Sequence, residues 1–323
     1  MDNFSLSIIV PCLNEQDVIN KTYNEIIKAF CDCSFDMEII FVDDGSIDNT
    51  LSIINGISKK DHRVKIISFS RNFGHQSAVT AGLHHATGDI VSIIDADLQD
   101  PPSLIISMIS EWKKGAKVVY AVRKNRKESI YKKAAYYIFY RLYSAISDIN
   151  VVLDSGDFCL MDKEVVDKIN SMPEKNRFVR GLRSWVGYKQ VPVFYDRQER
   201  MAGDPKYTFS KLLDLAMDGI FNFSIKPLVI VFYSGIVVSL ISLFLAIFYL
   251  VYRVFNFDFM GSYSSESQGF TTLVVIILLM GSVQILTVGI IGQYISRIYQ
   301  EVKSRPTYIV EKLVDNKRKT SDE

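Results

Sequence analysis

Residues 90–102 read IVSIIDADLQDPP. The opening IVSII is apolar and β-branched without alternation, the pattern of a strand buried on both faces of a parallel sheet. Two carboxylates, Asp95 and Asp97, follow directly. Side chains at i and i+2 of an extended segment share a face, so the pair repels itself unless a cation lies nearby. Hard oxygen ligands suit Mg²⁺ or Mn²⁺, which are held by one or two carboxylates together with substrate phosphates. A D-x-D pair by itself is equally a solvated turn, so its context decides.

The context repeats outward from it. Apolar runs predict strands over Leu6–Val10, Met37–Val42, Val64–Phe69, Ile90–Ile94 and Val118–Val122. Helical patterns predict Asp17–Phe30, Asn49–Ser58, Gln76–Ala86 and Ser103–Lys114 between them. This alternation implies an α/β fold with a mostly parallel sheet and right-handed crossovers. Polar residues follow each of the first four strands: Pro11-Cys12-Leu13-Asn14-Glu15, Asp43-Asp44-Gly45-Ser46, Ser70-Arg71-Asn72-Phe73-Gly74 and Asp95-Ala96-Asp97. In a parallel sheet these ends share one edge, where open α/β folds bind ligands. Stacked acidic residues at that edge weigh against the solvated turn. GxGxxG, GxxxxGK[ST], HExxH and GxSxG are all absent, which excludes the dinucleotide loop and the Walker A loop. His84 and His85 are adjacent on a helix and read as surface or core residues.

The 323 residues carry 37 Lys+Arg against 36 Asp+Glu, a formal charge of +1. No basic excess exists to displace counterions from a nucleic acid. With 48% hydrophobic residues the composition also excludes disorder, collagen and a disulfide scaffold. The four cysteines (12, 31, 33 and 159) form no CxxC pair and read as reduced thiols. The excess apolar content sits in two uncharged runs, 228–252 and 270–295, each past the ~20 residues that span a bilayer. Lys226, Arg297, Lys303 and Arg305 flank their outer ends, against Arg253 alone in the short loop 253–269. That bias, with an N-terminus lacking a signal-peptide pattern, predicts a hairpin with both ends cytosolic. Gln284 inside the second run calls for a partner helix, and Gly235 with Ser239 forms a small-xxx-small pair. Residues 207–226 read as an amphipathic juxtamembrane helix carrying Phe209, Leu212, Leu213, Ala216, Ile220 and Phe223. The predicted layout is therefore a cytosolic catalytic unit over 1–206, that helix, the hairpin over 227–296 and a cytosolic tail over 297–323.

PCLNE (11–15), VDDGSIDNT (42–50), SRNFGHQSA (70–78) and DADLQDPP (95–102) resemble family 2 glycosyltransferases of the GT-A fold. SGDF (155–158), RQERMAGDPKYTFSKLLDLAMDGIFNFSIKPL (197–228) and GQYISRIYQEVKSRPTYIV (292–310) extend the likeness to the polyprenyl-phosphate branch. It is similar to the bactoprenol glucosyltransferases of O-antigen modification and, more distantly, to dolichyl-phosphate mannose synthase. The resemblance implies inverting hexosyl transfer, glucose from UDP-glucose, to undecaprenyl phosphate at the cytosolic face of the bacterial inner membrane. A flippase and an integral-membrane transferase would act downstream, and assembly into a homo-oligomer would run through the spans. It also implies that Asp44 reads the nucleobase, with Pro11, Asn14 and Glu15 lining base and ribose. Asp95 would contact ribose or the metal shell, Asp97 would ligate Mg²⁺ or Mn²⁺, and Gln99 would touch the sugar.

Asp157 matches the position of an inverting base. A phosphate acceptor, with a second pKa of about 6, is already mostly ionised at neutral pH, so Asp157 is open to either role: proton acceptor or orienting group. Arg123, Arg126 and Lys132, next to an aromatic-rich stretch, are expected to meet the lipid phosphate and the interface. Arg197, Arg200 and Lys206 are expected to close over the pyrophosphate. A processive synthase is disfavoured because no Gln-x-x-Arg-Trp is present. Another donor or acceptor, or a non-catalytic membrane scaffold, remains the alternative.

Overall fold

The computed structural model describes residues 4–123, 155–196, 224–254 and 268–315. Its first half follows the predicted alternation: β1 (Ser5–Cys12), α1 (Ile19–Ala29), β2 (Asp36–Asp43), α2 (Thr50–Ser58), β3 (Val64–Phe69), α3 (His75–His85), β4 (Ile90–Ile93), α4 (Leu104–Lys113) and β5 (Val118–Arg123). Sequence expectation had nothing for the next elements: β6 (Ser155–Asp162), α5 (Lys163–Ser171), α6 (Val179–Trp185) and β7 (Gln190–Tyr195). One sheet runs β7-β5-β6-β4-β1-β2-β3, closed at its far edge by β8 (Val310–Val314). β4, β1, β2 and β3 are parallel, as are β5 and β7, while β6 runs against both β4 and β5.

Strand parity sorts the core into two layers. Leu6, Ile8 and Val10 face α1 and α4 through Ile19, Ile26, Ile105 and Met108. Ile9, Ile40, Val42 and Ile67 face α3, α5 and α6 through Val79, Val165, Val179 and Leu182. Fully burying each such side chain is worth roughly 1.5–3 kcal/mol, which is why the strands read as continuous apolar runs. Gly82 lets α3 settle close on β1: a Cβ there would lie 2.3 Å from Cγ2 of Ile9.

Two helices follow, α7 (Lys226–Val254) and α8 (Gln268–Val302), each longer than the predicted run. Spans Lys226–Phe244 and Ile276–Val302 are long and apolar enough to cross a membrane, and none of either is buried against protein. Phe244 and Ile285 are 68% and 76% exposed, unlike core-helix residues of a soluble domain. Of the expected juxtamembrane helix at 207–226, residues 207–223 lie outside the described residues.

The stretch that follows the second helix adds a strand to the sheet, β8 pairing antiparallel with β3. Side chains explain the docking. Tyr308 stacks on Phe69 at 5.0 Å and its hydroxyl lies 2.9 Å from Nδ1 of His84. Asp315 reaches the buried Lys65 at 3.2 Å, beside Glu38 at 2.9 Å. At the end of α8, Glu301 accepts hydrogen bonds from the backbone N–H groups of Lys175 and Asn176.

Candidate active site

The loops after β1, β2, β3 and β4 gather at one sheet edge, as the parallel topology requires. The β1 loop is knit to the β2 loop: the Asn14 N–H donates to Ser46 Oγ (3.0 Å), and Asn14 Oδ1 accepts from the Ile47 N–H (2.9 Å). Asn14 holds a left-handed φ of 53° to do so. Pro11 is buried within β1, opposite Val42, and the Glu15 N–H donates to Thr50 Oγ1.

Asp44 is buried, and its carboxylate accepts from the N–H groups of Phe73 (2.7 Å) and Gly74 (3.0 Å). It therefore shapes the loop that leads into α3. Burial outweighs those two bonds, and with Asp43 close by the Asp44 carboxyl is held above its ordinary range. Gly45 is obligatory between these loops: φ is +72° and a Cβ would lie 2.5 Å from the backbone of Arg71.

After β4 the chain turns through Leu98, a non-glycine residue at φ 56°, a strained conformation of the kind found at functional sites. Asp97 Oδ1 caps this turn by accepting from the Gln99 N–H at 3.2 Å, and Thr22 of α1 anchors it through the Ala96 carbonyl at 2.6 Å. Gln99 is buried and its Oε1 has no hydrogen-bond partner among the described residues. Tyr195 of β7 donates to Asp100.

Asp157, the third residue of β6, comes to the same edge because β6 runs backwards beside β4. Between Asp95 and Asp157 stands His75, the first residue of α3, with Nε2 3.9 Å from Asp95 Oδ1 and 3.3 Å from Asp157 Oδ2. Arg180 of α6 donates from Nε to Asp157 Oδ1 at 3.3 Å. Burial opposes ionisation of Asp157, but Arg180 and His75 hold its carboxyl well below the usual range. The same contacts overcome burial at His75 and raise it to about 9. Asp95 is pushed up to about 6 by burial and by Asp157, Asp100 and Asp97, with His75 opposing.

His75, Gln76 and Arg180 are the residues that sequence reading did not assign. His75 was visible only inside SRNFGHQSA, and Arg180 has no local signal. Arg123 closes β5; Arg126, Lys132, Arg197, Arg200 and Lys206 lie outside the described residues.

Could this edge hold a divalent cation? Asp95 and Asp97 stand two residues apart after β4, and burial together with the neighbouring carboxylates disfavours the charge of Asp95, a penalty a cation would relieve. Among the described residues no group of three His, Cys, Asp or Glu side chains forms a complete cage. The donor set thus fits an ion that takes the rest of its shell from a bound diphosphate, as Mg²⁺ and Mn²⁺ do.

The chain belongs to glycosyl transferase family 2, which residues 7–169 match. It is 48% identical to the uncharacterized glycosyltransferase YkcC of Bacillus subtilis (strain 168), over 98% of this chain and 97% of that one. It is 40% identical to the prophage bactoprenol glucosyl transferase homolog of Escherichia coli (strain K12), over 95% of this chain and 99% of that one. The bactoprenol glucosyl transferase of Shigella phage SfII is likewise 40% identical, over 95% and 97%. Among solved structures, mannosyltransferase PcManGT from Pyrobaculum calidifontis, in complex with GDP-Man and Mn²⁺, aligns with a TM-score of 0.47 at 17% identity, over 68% of this chain and 64% of that one.

Proposed function

We propose that the chain transfers a hexose, glucose from UDP-glucose, to undecaprenyl phosphate with inversion at the cytosolic face of the inner membrane. The observation that carries this reading is the Asp95–His75–Asp157 edge on a chain that continues into two apolar helices and returns to the same sheet. A site for a charged donor and an anchor in the acceptor's phase belong to one polypeptide. Relatives named bactoprenol glucosyl transferases, matched over nearly their full length, support both sugar and acceptor.

In the reaction an acceptor phosphate oxygen bonds to the anomeric carbon while the bond from that carbon to the donor's β-phosphate oxygen breaks, and the nucleoside diphosphate leaves with the electron pair. Mg²⁺ or Mn²⁺ held by Asp95 and Asp97 would supply charge neutralisation at that leaving group. Asp44 fixes the loop beneath the nucleotide through Phe73 and Gly74. Positive-inside flanks support cytosolic ends for the hairpin.

The test is incorporation of label from UDP-glucose into a chloroform-soluble product by membranes containing the full chain, with GDP-mannose and UDP-amino sugars as competing donors. Loss of incorporation with EDTA and recovery with Mn²⁺ is expected. Label entering lipid only from another donor would overturn the glucose assignment, and incorporation unchanged by EDTA would overturn the metal.

A further inference from the structure

The Asp157 carboxylate is spoken for. Oδ1 accepts from Arg180 Nε at 3.3 Å; Oδ2 accepts from Gln76 Nε2 at 3.4 Å and faces His75 Nε2 at 3.3 Å. Gln76 in turn accepts, through Oε1, the backbone N–H of Val179 at 2.9 Å. That last bond fixes the amide: a backbone N–H can only donate, so the carbonyl must face Val179 and the NH₂ must face the carboxylate. One aspartate on β6 thereby ties the first turns of α3 and α6 together. The two charged groups it holds also reach solvent: His75, 37% exposed, and Arg180, 24% exposed.

We infer that Asp157 is a positioning residue and not the proton acceptor, and that it sets His75 and Arg180 to receive the phosphate of the acceptor. The inference rests on the lipid-phosphate reading given above and adds to it the residues that meet the acceptor's anion. Three reasons lead there. Three donors on two oxygens leave the carboxylate poorly placed to take a proton from substrate, whose transfer requires its own hydrogen bond of about 2.6–3.2 Å. A phosphate needs no base, because it arrives already ionised. A carboxylate facing the incoming anion without counter-charges would repel it, whereas the Asp157–His75–Arg180 group presents donors. Gln76 is the part that makes this specific: it has no charge to offer the substrate, and it acts only through Asp157 and α6.

Kinetics of the purified full chain, with acceptor and donor varied separately and the unfolding midpoint of each variant recorded, test this. His75→Ala and Arg180→Ala are expected to raise KM for undecaprenyl phosphate at least tenfold, with KM for the nucleotide sugar within about threefold of the parent. Asp157→Asn, which keeps an acceptor oxygen for Arg180, is expected to move acceptor KM by a similar factor and to hold kcat within about tenfold. Gln76→Ala is expected to reproduce the Asp157→Asn pattern more weakly, and the two are expected to be less than additive when combined. Gln76→Glu, an isostere that turns a donor into a carboxylate against Asp157, is expected to be worse than Gln76→Ala. A thousandfold loss of kcat at saturating acceptor in Asp157→Asn, with acceptor KM unchanged and Gln76→Ala silent, would overturn the inference and restore Asp157 as base. A parent protein that transfers sugar to no lipid phosphate would instead overturn the acceptor reading, and this inference with it.

Discussion

Replacing Lys65 with methionine removes a buried cation that lies against two carboxylates, and the structure sets the size of the effect. Lys65 Nζ lies 2.9 Å from Glu38 Oε2 and 3.2 Å from Asp315 Oδ2, and Glu38 is 3% exposed. Glu38 would keep only the Ser7 hydroxyl and the Thr87 N–H. Deleting one partner of a buried ion pair costs about 3–5 kcal/mol. For a domain of this size that is a fall of roughly 6–20 °C in the unfolding midpoint, readable by tryptophan fluorescence in detergent. The pH dependence has a definite sign. In the parent protein burial would raise the Glu38 carboxyl, but Lys65, Ser7 and Thr87 together hold it below its ordinary 4.5, so the pair's contribution persists down to that region and fades only beneath it. Burial likewise opposes the charge of Lys65, yet its carboxylate partners raise its pKa, so the cation is lost only in strong alkali. In Lys65→Met, burial prevails and Glu38 takes up a proton at higher pH than before, relieving the variant. The gap between parent and variant should therefore narrow as the medium is taken from about pH 7.5 toward pH 4.5. Midpoints within 2 °C of each other at the higher pH, or a gap that widens on acidification, would refute the reasoning.

Three further perturbations follow from the same geometry. Asp61 is lowered to about 2: burial opposes this, but hydrogen bonds from Arg63 and Tyr23 prevail, so its stabilisation holds above the ordinary 3.8 and is lost as pH falls toward 2; Asp61→Asn should cost about 1 kcal/mol at neutral pH and flatten the acid limb of a melting profile. Gly82→Ala places a methyl 2.3 Å from Ile9 Cγ2 and should destabilise by roughly 1–3 kcal/mol in chemical denaturation. Asp44→Ala frees the Phe73 and Gly74 N–H groups; KM for the nucleotide sugar should rise at least tenfold while acceptor KM stays near the parent value.

What could be read from the chain depended on where each element finds its partners. β1 to β5 and α1 to α4 appear within about two residues of their predicted limits, because a strand such as Ile90–Ile93 is apolar throughout and is bounded by charged or turn-forming residues. Asp44 and Asp95 were legible as members of one edge, because parallel topology sends strand ends to the same side, whereas Asp157, on the antiparallel β6, was reached only through the family resemblance. β8 was not, since VEKLV has a mostly exposed face and becomes a strand only through β3. Nor was the clamp on Asp157: Arg180 sits on a seven-residue helix with no periodicity of its own, and His75 is distinguished only by the turn that places it beside two aspartates.

β8 also carries a timetable. Roughly 240 residues, including both apolar helices, separate Phe69 from Val310, so at about 5–20 residues per second a ribosome delivers the last strand some 12–50 s after the one it covers. Until then the β3 edge stands open, a template for unwanted pairing, and the aromatic stack that backs the loop of Phe73 is missing Tyr308. The nascent enzyme thus stays unfinished while its hairpin is being made, and the loop of Phe73 gains the last ring of the stack behind it only after that hairpin has emerged.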